Sequence, residues 1–359
     1  MALNYAEQWS PELLEILMQG TLTSPFVTSN VRWVGARTFH FTQMSVSGFK
    51  NHKRTGGWNS GKYAQTDIPY TLQHDRDIEF LVDQADVDET NATASIQNIS
   101  RTFEQTQVAP ETDALFFNRI AEKAQSLDGY HSSTPLSGSG AYTKSNVFGK
   151  LKTILAAGKL RRYKAQGALI MYVSSFIMDL LEQSTDFTRK IEMTQIAEGG
   201  MGIETRVTEI DGVTIMEVID DERFYDRFDF DSEEGGFKPA VATYKKTADT
   251  TIVEGKDYYT ESGGVYSKES SASAEKLGTY YEKVDGSHKI NVLVASPLTC
   301  KTVPKISSIY YFAPGAHTQG DGYLYQNRSL SDTFVFPNGK DGKIDSIYVD
   351  VDTVEYTEE

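Results

Sequence analysis

The segment QVAPETDALFFNRIAEK, at residues 107–123 of the 359-residue chain, has the residue spacing of a helix with one apolar side. Proline is tolerated in the first turn of a helix, so Pro110 predicts where this helix begins. Leu115, Phe116 and Ile120 follow at helical spacing. We therefore expect a helix that starts at Pro110 and packs its apolar side on the rest of the protein.

A separate helix is predicted just ahead of Pro110. Ile96, Ile99 and Phe103 recur at helical spacing. The segment before them is acidic, and carboxylates at that position are stabilised by the positive end of the helix dipole. The acidic residues are Asp83, Asp86, Asp88 and Glu89. The sequence therefore predicts two consecutive helices behind an acidic entry segment.

Two stretches rich in β-branched and aromatic residues, 31–47 and 63–82, predict strands that pair antiparallel. Where they meet lies GFKNHKRTGGWNSGKYAQ, residues 48–65, which has four glycines, four basic residues and no acid. A phosphate-binding P-loop needs a Lys-Ser/Thr pair followed by a helix, whereas Lys62 precedes Tyr63. We interpret this segment as the polar tip of a long hairpin.

The N-terminal segment predicts a short amphipathic helix. Ser10 is a good N-cap, Pro11 suits the first helical position, and Gly20 suits the end. Trp9 and Leu13 belong to its apolar side. A lone helix of this length is marginal in water, so we expect it to dock on another surface.

The remainder of the chain is predicted to contain a mixed α/β unit. The fold of the chain as a whole is predicted to be α+β. Its predicted elements are a helix at 145–158, a strand at 168–173, a helix at 174–183 and a hairpin turn at Asp211-Gly212. Residues 242–284 differ from the rest in composition, because they are rich in tyrosine and contain neither Phe nor Trp. We interpret them as a small, self-contained β insertion, after which strands resume.

Composition excludes several classes of protein. The single cysteine, Cys300, excludes an internal disulfide framework and fits a reducing cytoplasm. The longest apolar stretch, 167–181, is shorter than a membrane span. The formal charge of -15 weighs against general nucleic-acid binding. The basic cluster at 159–164 suits the negative end of a helix dipole, with a weak nucleic-acid contact as the alternative.

Catalytic and metal-binding patterns are lacking. The six histidines have no metal-ligand spacing, and neither a Gly-x-Ser-x-Gly elbow nor a dinucleotide fingerprint occurs. The acidic segment 229–235 resembles a calcium loop superficially, but Glu234 stands where an EF-hand requires glycine. We expect a protein that is not an enzyme and needs no cofactor or metal.

Three stretches, taken together, resemble one family. They are 86–91 leading into 107–123, the strand KINVLVASPLT at 289–299, and DGYLYQNR at 321–328 with Asp332 to Val335. The pattern resembles the major capsid protein of tailed bacteriophages with the HK97-type fold, in a subgroup found among phages of Gram-positive bacteria.

The resemblance implies a division of the chain. It implies an N-terminal arm at 1–30, an E-loop hairpin at 31–82, a P-domain with the spine helix at 83–144 and 305–337, and an A-domain at 145–304 and 338–359. The tyrosine-rich insertion at 242–284 then lies within the A-domain.

The resemblance also implies a function without bond chemistry. Hexamers and pentamers of the chain would form an icosahedral head shell that encloses the double-stranded DNA genome, without specific DNA binding and without a membrane. It implies assembly in the host cytoplasm, residence in the virion, and as partners a separate scaffolding protein, a portal and a decoration protein. Lys50, Lys53, Lys62 and Asn338 have the residue types of a covalent crosslink known in some members.

Contacts between subunits follow as a hypothesis. The basic tip holds Lys53, Arg54 and Lys62, and we expect it to approach an acidic surface of a neighbour near 83–89. The candidate contact residues are Trp9, Leu13, Lys53, Arg54, Trp58, Lys62, Asp86, Asp88, Glu89, Arg328 and Asp332. The alternative from another class is a β-rich phage tail or surface-binding protein that recognises carbohydrate through the tyrosine-rich insertion.

Overall fold

The structure is a computed structural model with an α+β architecture. It describes residues 20–29, 31, 33–52, 56, 58–83, 96–184, 191–194, 205–230, 236–247, 256–262, 264–268, 280–318, 320–338 and 342–357. The helices are α1 (Ile96–Phe103), α2 (Ala109–Gln125), α3 (Val147–Leu155), α4 (Leu160–Lys164) and α5 (Ser175–Glu182).

Eighteen strands are described. The first nine are β1 (Thr38–Val46), β2 (Tyr63–Thr71), β3 (His74–Asp83), β4 (His131–Ser133), β5 (Ile170–Ser174), β6 (Ile191–Thr194), β7 (Thr205–Ile210), β8 (Val213–Val218) and β9 (Phe228–Asp229). The others are β10 (Lys238–Pro239), β11 (Thr243–Lys246), β12 (Tyr259–Ser262), β13 (Val265–Lys268), β14 (Tyr281–Val284), β15 (His288–Ala295), β16 (Cys300–Phe312), β17 (Gly322–Val335) and β18 (Ile347–Glu355).

A seven-stranded sheet forms the centre, in the order β4-β18-β15-β5-β8-β7-β6. Its middle strands are apolar because both of their faces are covered. Helix α2 and a 3-10 turn at Ser24–Phe26 pack on one face, around Phe116 and Phe117. Helices α3, α4 and α5 pack on the other face.

The two helices predicted around Pro110 form one continuous rod, which corrects the sequence prediction. A π-helical segment, Glu104–Val108, joins α1 to α2, and Phe103, Val108 and Ala109 all keep right-handed helical backbone angles. Proline lacks the N–H that an α-helix would use, and the wider π turn accommodates that loss. At 1.5 Å per residue the rod is roughly 45 Å long.

The hairpin prediction is correct for its first strand pair and wrong beyond it. Strands β1 and β2 pair antiparallel over nine residues, from Thr38 opposite Thr71 to Val46 opposite Tyr63. The chain then turns, and β3 pairs with β17 in a separate three-stranded sheet of order β16-β17-β3. The pairing with β17 spans nearly 250 residues of sequence, a separation that local patterns do not encode.

Other local signals are confirmed. The turn at Asp211-Gly212 has φ angles of 51° and 80°, as a tight two-residue hairpin turn requires. Residues 242–284 contain their own four-stranded sheet, of order β11-β14-β12-β13. The helix predicted at 145–158 ends at Leu155, and Gly158, with a φ of 47°, separates it from α4.

Candidate intersubunit surfaces

The β1–β2 hairpin is anchored at its base by aromatic packing. Phe39 is completely buried and lies edge-on to Phe334 and Phe336, with ring centroids 5.3 and 6.3 Å apart. Phe41 stacks on Phe336 at 4.5 Å, and Tyr70 stacks on Phe39 at 5.6 Å. Aromatic pairs in these arrangements add to the free energy of area burial, so the base is fixed to the β16–β17 sheet.

Beyond the base, the hairpin exposes apolar side chains. Met44, Val46 and Tyr63 on the strands and Phe49 and Trp58 at the tip are exposed, and Trp58 is 99% accessible. An isolated two-stranded hairpin is at best marginally stable in water. An exposed apolar surface on such an element marks a place where another surface docks.

The tip has its own hydrogen bonds. Lys50 Nζ donates to the Ser60 carbonyl oxygen at 2.8 Å, and the amide of Asn59 donates to the Asn51 carbonyl oxygen at 2.8 Å. Lys50 is therefore engaged within the tip. The side chains of Trp58 and Lys62, two of the predicted contact residues, are exposed and face solvent.

Several predicted contact residues lie outside the described residues. These are Trp9, Leu13, Lys53, Arg54, Asp86, Asp88 and Glu89. Both sides of the predicted charge contact depend on them, so the contact between the tip and 83–89 stays a prediction.

Asp332 lies in the interior of the chain, which does not fit its predicted role as a surface contact. It is 2% exposed and accepts hydrogen bonds from Arg119 Nε at 3.0 Å and from the Gln73 backbone N–H at 3.0 Å. Arg119 belongs to α2, and Gln73 to the turn between β2 and β3. Asp332 thus fixes the rod to the point where the hairpin ends.

Arg328 forms a charge cluster at the surface. It binds Asp75 with two hydrogen bonds, Nε to Oδ1 at 3.1 Å and Nη2 to Oδ2 at 3.0 Å, while Arg37 Nη2 lies 2.6 Å from Asp75 Oδ2. The hydrogen bond from Arg328 holds the pKa of the Asp75 carboxyl below its ordinary value. The Arg328 side chain is still half exposed, so a contact with a neighbour stays a prediction.

A buried ion pair was missed by the sequence analysis. Arg223 Nη1 lies 3.1 Å from Asp113 Oδ2, and both residues are buried. Asp113 also accepts the Leu22 and Thr23 backbone N–H groups and the Thr23 hydroxyl, the last at 2.7 Å. The pair therefore fixes the start of the described chain to α2. One signal could have revealed it: Asp113 stands four residues before Phe117, on the apolar side of its helix.

The candidate crosslink residue Asn338 is buried in the chain. Its side-chain amide donates to Asp345 Oδ2 at 2.9 Å, and Tyr163 donates to the other carboxylate oxygen of Asp345 at 2.7 Å. Burial raises the pKa of the Tyr163 hydroxyl, so Tyr163 stays a donor. Asn338 is thereby positioned by this hydrogen-bond network within its own chain.

The tyrosines of the insertion pack on one another. Tyr244 stacks on Tyr266 with ring centroids 4.1 Å apart, and Tyr266 lies edge-on to Tyr281 at 5.1 Å. Since Tyr244 and Tyr266 belong to opposite edge strands, the sheet is strongly curled. Tyr244, Tyr266 and Tyr281 are partly exposed, and the buried tyrosines of the described part of the insertion are Tyr258 and Tyr280. The stacked faces of Tyr244 and Tyr266 cover each other, which does not favour the carbohydrate-binding alternative.

No group of three or more His, Cys, Asp or Glu side chains able to hold a metal ion occurs among the described residues. In the same part of the chain, none of the helices has the length and apolar character needed to cross a membrane.

Comparison with known proteins gives a fold match without a sequence match. No protein-family model matches the chain, and neither does any curated protein. The capsid structure of the cyanophage P-SCSP1u is 13% identical, with 98% of this chain and 93% of that chain covered and a TM-score of 0.56. The mature capsid of bacteriophage PhiM1 is 12% identical, with coverages of 95% and 90% and a TM-score of 0.54.

The capsid of Ralstonia phage GP4 is 9% identical, with 99% of this chain and 96% of that chain covered and a TM-score of 0.52. In each case the likeness extends over at least nine tenths of both chains. The chain therefore has the fold found in these phage capsid structures.

Proposed function

We propose that the chain is the major capsid protein of a tailed bacteriophage, which self-assembles into the icosahedral head shell enclosing the double-stranded DNA genome. The observation that carries the proposal is the likeness to phage capsid structures over nearly the full length of both chains. The hairpin supports the proposal, because its apolar side chains are exposed in the single chain and a neighbouring subunit would cover them.

The proposed function is structural and depends on repeated interfaces. Obligate interfaces between protein subunits bury on the order of 2,000–5,000 Å². Such burial links the stability of an element that is marginal alone to assembly. The β1–β2 hairpin fits this requirement, since its base is fixed to the body and apolar side chains beyond the base are exposed.

The HK97-type assignment gives each element a place. The β1–β2 hairpin corresponds to the E-loop within 31–82, and the α1–α2 rod to the spine helix. Strand β17 and most of β16 belong with the P-domain, at 83–144 and 305–337, while their partner β3 falls almost entirely within the E-loop range. The seven-stranded sheet, apart from its edge strand β4, belongs with the A-domain, at 145–304 and 338–359, and the insertion at 242–284 lies within that domain.

The contacts between subunits are part of the proposal. The hairpin tip, with Lys53, Arg54, Trp58 and Lys62, lies against a neighbour, and its positive charge meets Asp86, Asp88 and Glu89. The N-terminal arm, through Trp9 and Leu13, docks on another subunit. Surface charge pairs of this kind guide the docking orientation more than they add affinity. The exposure of Trp58 and Lys62 supports the first contact.

The wider setting follows from the same assignment. The subunits form hexamers and pentamers with a separate scaffolding protein and a portal, and a decoration protein binds the finished shell. Assembly takes place in the cytoplasm of the bacterial host, and the protein then resides in the virion; within the family, the chain belongs with the subgroup that resembles capsid proteins of phages of Gram-positive bacteria. The net charge of -15 agrees with a shell that packages DNA without reading its sequence.

Expression of the chain alone and with candidate scaffolding proteins tests the proposal. Sedimentation velocity and negative-stain electron microscopy should reveal particles of megadalton mass with icosahedral outlines. A folded chain that stays a monomer or small oligomer in every combination, while binding a glycan, would contradict the proposal and support the surface-binding alternative.

A further inference from the structure

A long stretch of the chain is positively charged in an otherwise acidic protein. Residues 129–178 contain seven Lys or Arg and no Asp or Glu, although the chain as a whole has a formal charge of -15. The basic residues are Lys144, Lys150, Lys152, Lys159, Arg161, Arg162 and Lys164. All of them lie within the described range 96–184.

The fold places many of these charges on one surface. Leu151 and Leu155 of α3 and Leu160 and Tyr163 of α4 point into the core beneath the central sheet. Several of their neighbours in sequence reach the surface, and the side chains of Lys152 and Arg162 are 45% and 43% exposed. Arg162 Nη1 also lies 3.6 Å from the buried Asp345 carboxylate, so its charge is partly offset. We call this outward side of α3 and α4 the cationic face.

A hollow of about 450 Å³ lies in the cationic face. Lys152, Arg161 and Lys164 surround it, with Leu155, Ala156 and Ala165 forming the apolar part of its wall and Asp211 at its edge. Lys152 Nζ lies 4.7 Å from the centre of the Phe148 ring, so a cation–π contact limits the positions of that ammonium group. The three cations thus converge on one space.

Asp211 already acts as an anion in this hollow. Its carboxylate accepts a hydrogen bond from Lys164 Nζ at 3.0 Å and lies 3.7 Å from Lys152 Nζ. The hydrogen bond from Lys164 lowers the pKa of the Asp211 carboxyl. Asp211 offsets one of the three charges, while the Arg161 guanidinium pairs with no carboxylate in the described part of the chain. The lining therefore keeps a net positive charge and a geometry that suits an oxyanion.

We propose that the cationic face binds the phosphate groups of a nucleic-acid backbone without reading base sequence. Lysine and arginine are the side chains that neutralise phosphates, and an arginine can bind two phosphate oxygens at once. Base stacking would need exposed aromatic rings, whereas Tyr142 and Tyr163 beside the face are buried, and the partly exposed Phe148 ring is in contact with Lys152. The choice of nucleic acid as the polyanion rests on the proposed function, because a head shell encloses DNA.

The number of cations limits the strength of the contact. Three cations line the hollow, and each neutralised phosphate contributes about -0.9 to the slope of log K against log salt concentration. We expect a slope of roughly -2 to -3 and weak binding, since the rest of the chain repels DNA. In a shell, many copies would add such weak contacts together.

Fluorescence anisotropy with a short labelled DNA duplex of arbitrary sequence tests the inference on the full-length chain. Arg161→Glu should weaken binding about tenfold, as expected when one phosphate contact becomes a repulsion. Lys123→Glu is the matched control, because Lys123 is exposed on α2 away from the face and the charge change is identical. Equal effects of the two variants, or binding without salt dependence, would overturn the inference.

A variant with increased affinity provides a second, independent measurement. Asp211→Asn removes the carboxylate that competes for Lys152 and Lys164, so DNA should bind about threefold more tightly. Asparagine tolerates the φ of 51° at this position, and Asn-Gly suits the turn, so the fold should be retained. Unchanged or weaker DNA binding by this variant would contradict the proposed site.

Competitors identify the ligand. Inorganic phosphate at millimolar concentration should displace the duplex only partly, whereas unlabelled duplex should displace it fully. Equal displacement by polyglutamate at the same charge concentration would assign the face to an acidic protein and overturn the inference. Electron microscopy of the same samples separates the two proposals: DNA binding without particles contradicts the shell function alone, and particles without DNA binding contradict the cationic face alone.

Discussion

Arg223 and Asp113 form an ion pair that is almost completely removed from solvent, with Nη1 and Oδ2 3.1 Å apart. Burial raises the pKa of the Asp113 carboxyl, while Arg223 and the donors from Leu22 and Thr23 act in the opposite direction. The pair fixes the chain at Gly20, whose carbonyl oxygen accepts a hydrogen bond from Arg223 at 3.3 Å. The N-terminal arm proposed above would extend from this point.

The first prediction concerns this pair. Arg223→Met should destabilise the chain by about 3–5 kcal/mol, because it leaves a buried carboxylate without its cation. Denaturant unfolding measured by circular dichroism gives the change. Arg227→Met, at a surface arginine that binds the Asp285 carbonyl oxygen, is the matched control and should cost less than about 1 kcal/mol. A double variant, Asp113→Asn with Arg223→Met, removes the charge but keeps an acceptor for the Leu22 and Thr23 donors, so it should recover much of the loss; recovery of none would contradict the explanation by an unpaired charge.

The second prediction separates the base of the hairpin from its tip. Phe39→Ala should lower the free energy of unfolding by about 3–5 kcal/mol, because it opens a cavity in the aromatic cluster. Trp58→Ser should leave that free energy unchanged within about 0.5 kcal/mol, since the indole is exposed, while reducing particle yield in sedimentation velocity. Normal particle yield from Trp58→Ser would exclude the tip as an intersubunit contact.

The third prediction addresses the charge of the tip. Reversing Lys53 and Arg54 to Glu should reduce the rate of particle formation, measured by light scattering, without changing the unfolding midpoint of the chain. The effect should shrink at high salt, because exposed charges are screened over about 10 Å at 0.1 M. Exchanging both residues for Gln is the control, with an intermediate rate expected. Particle formation at the original rate by the Glu variant would contradict the proposed contact.

Local signals predicted the elements that neighbouring residues determine. The Asp211-Gly212 turn needs a positive φ at both positions. Asp and Gly both tolerate that backbone conformation, so the turn could be predicted from these two residues alone. The apolar spacing of α2 likewise places Leu115, Phe116 and Ile120 in the core correctly.

Pairing between distant segments could not be predicted in the same way. The partner of β3 is set by contacts such as Leu81 opposite Leu324, which lie far apart in sequence. The burial of Asp332 could not be predicted, because its partner, Arg119, comes from another element. Pro110 suggested a break in the helix, but the π-helical segment before it absorbs the missing N–H. These outcomes depend on packing that a linear pattern does not contain.

The fourth prediction concerns the insertion. Its two ends are adjacent: Thr243 pairs with Val284, and the Ser287 N–H donates to the Ala240 carbonyl oxygen at 2.7 Å. Replacing residues 243–284 with two glycines should therefore leave the rest folded, with a loss of about 1 kcal/mol from the Lys283–Glu355 pair, which is partly exposed. Thermal unfolding and electron microscopy of particles give the result.

A second, shorter deletion tests whether the insertion behaves as one unit. Removing 259–284 leaves β11 without its partner β14 and separates the two ends, so this variant should be less stable and more prone to aggregate. If both deletions destabilised the chain equally, the insertion would be part of the core of the fold and not an independent unit.

The fifth prediction is a pH dependence at His288. The hydrogen bond with Asp226 raises the pKa of this imidazole, and the His288 backbone N–H also donates to Asp226 Oδ1 at 2.6 Å. A raised pKa in the folded state means that the ion pair stabilises the protein fully below the unfolded value of about 6.5 and is lost as the pH rises through the folded value. The free-energy difference between the natural chain and His288→Gln should therefore be largest below about pH 6.5 and shrink as the pH rises beyond that value. His131 acts in the opposite direction, because burial lowers its pKa, so only the difference between variants isolates His288.

Urea unfolding at a series of pH values measures this free-energy difference, with His52→Gln on the exposed tip as the control. A difference that grows with pH would show that the His288–Asp226 contact does not stabilise the charged imidazole.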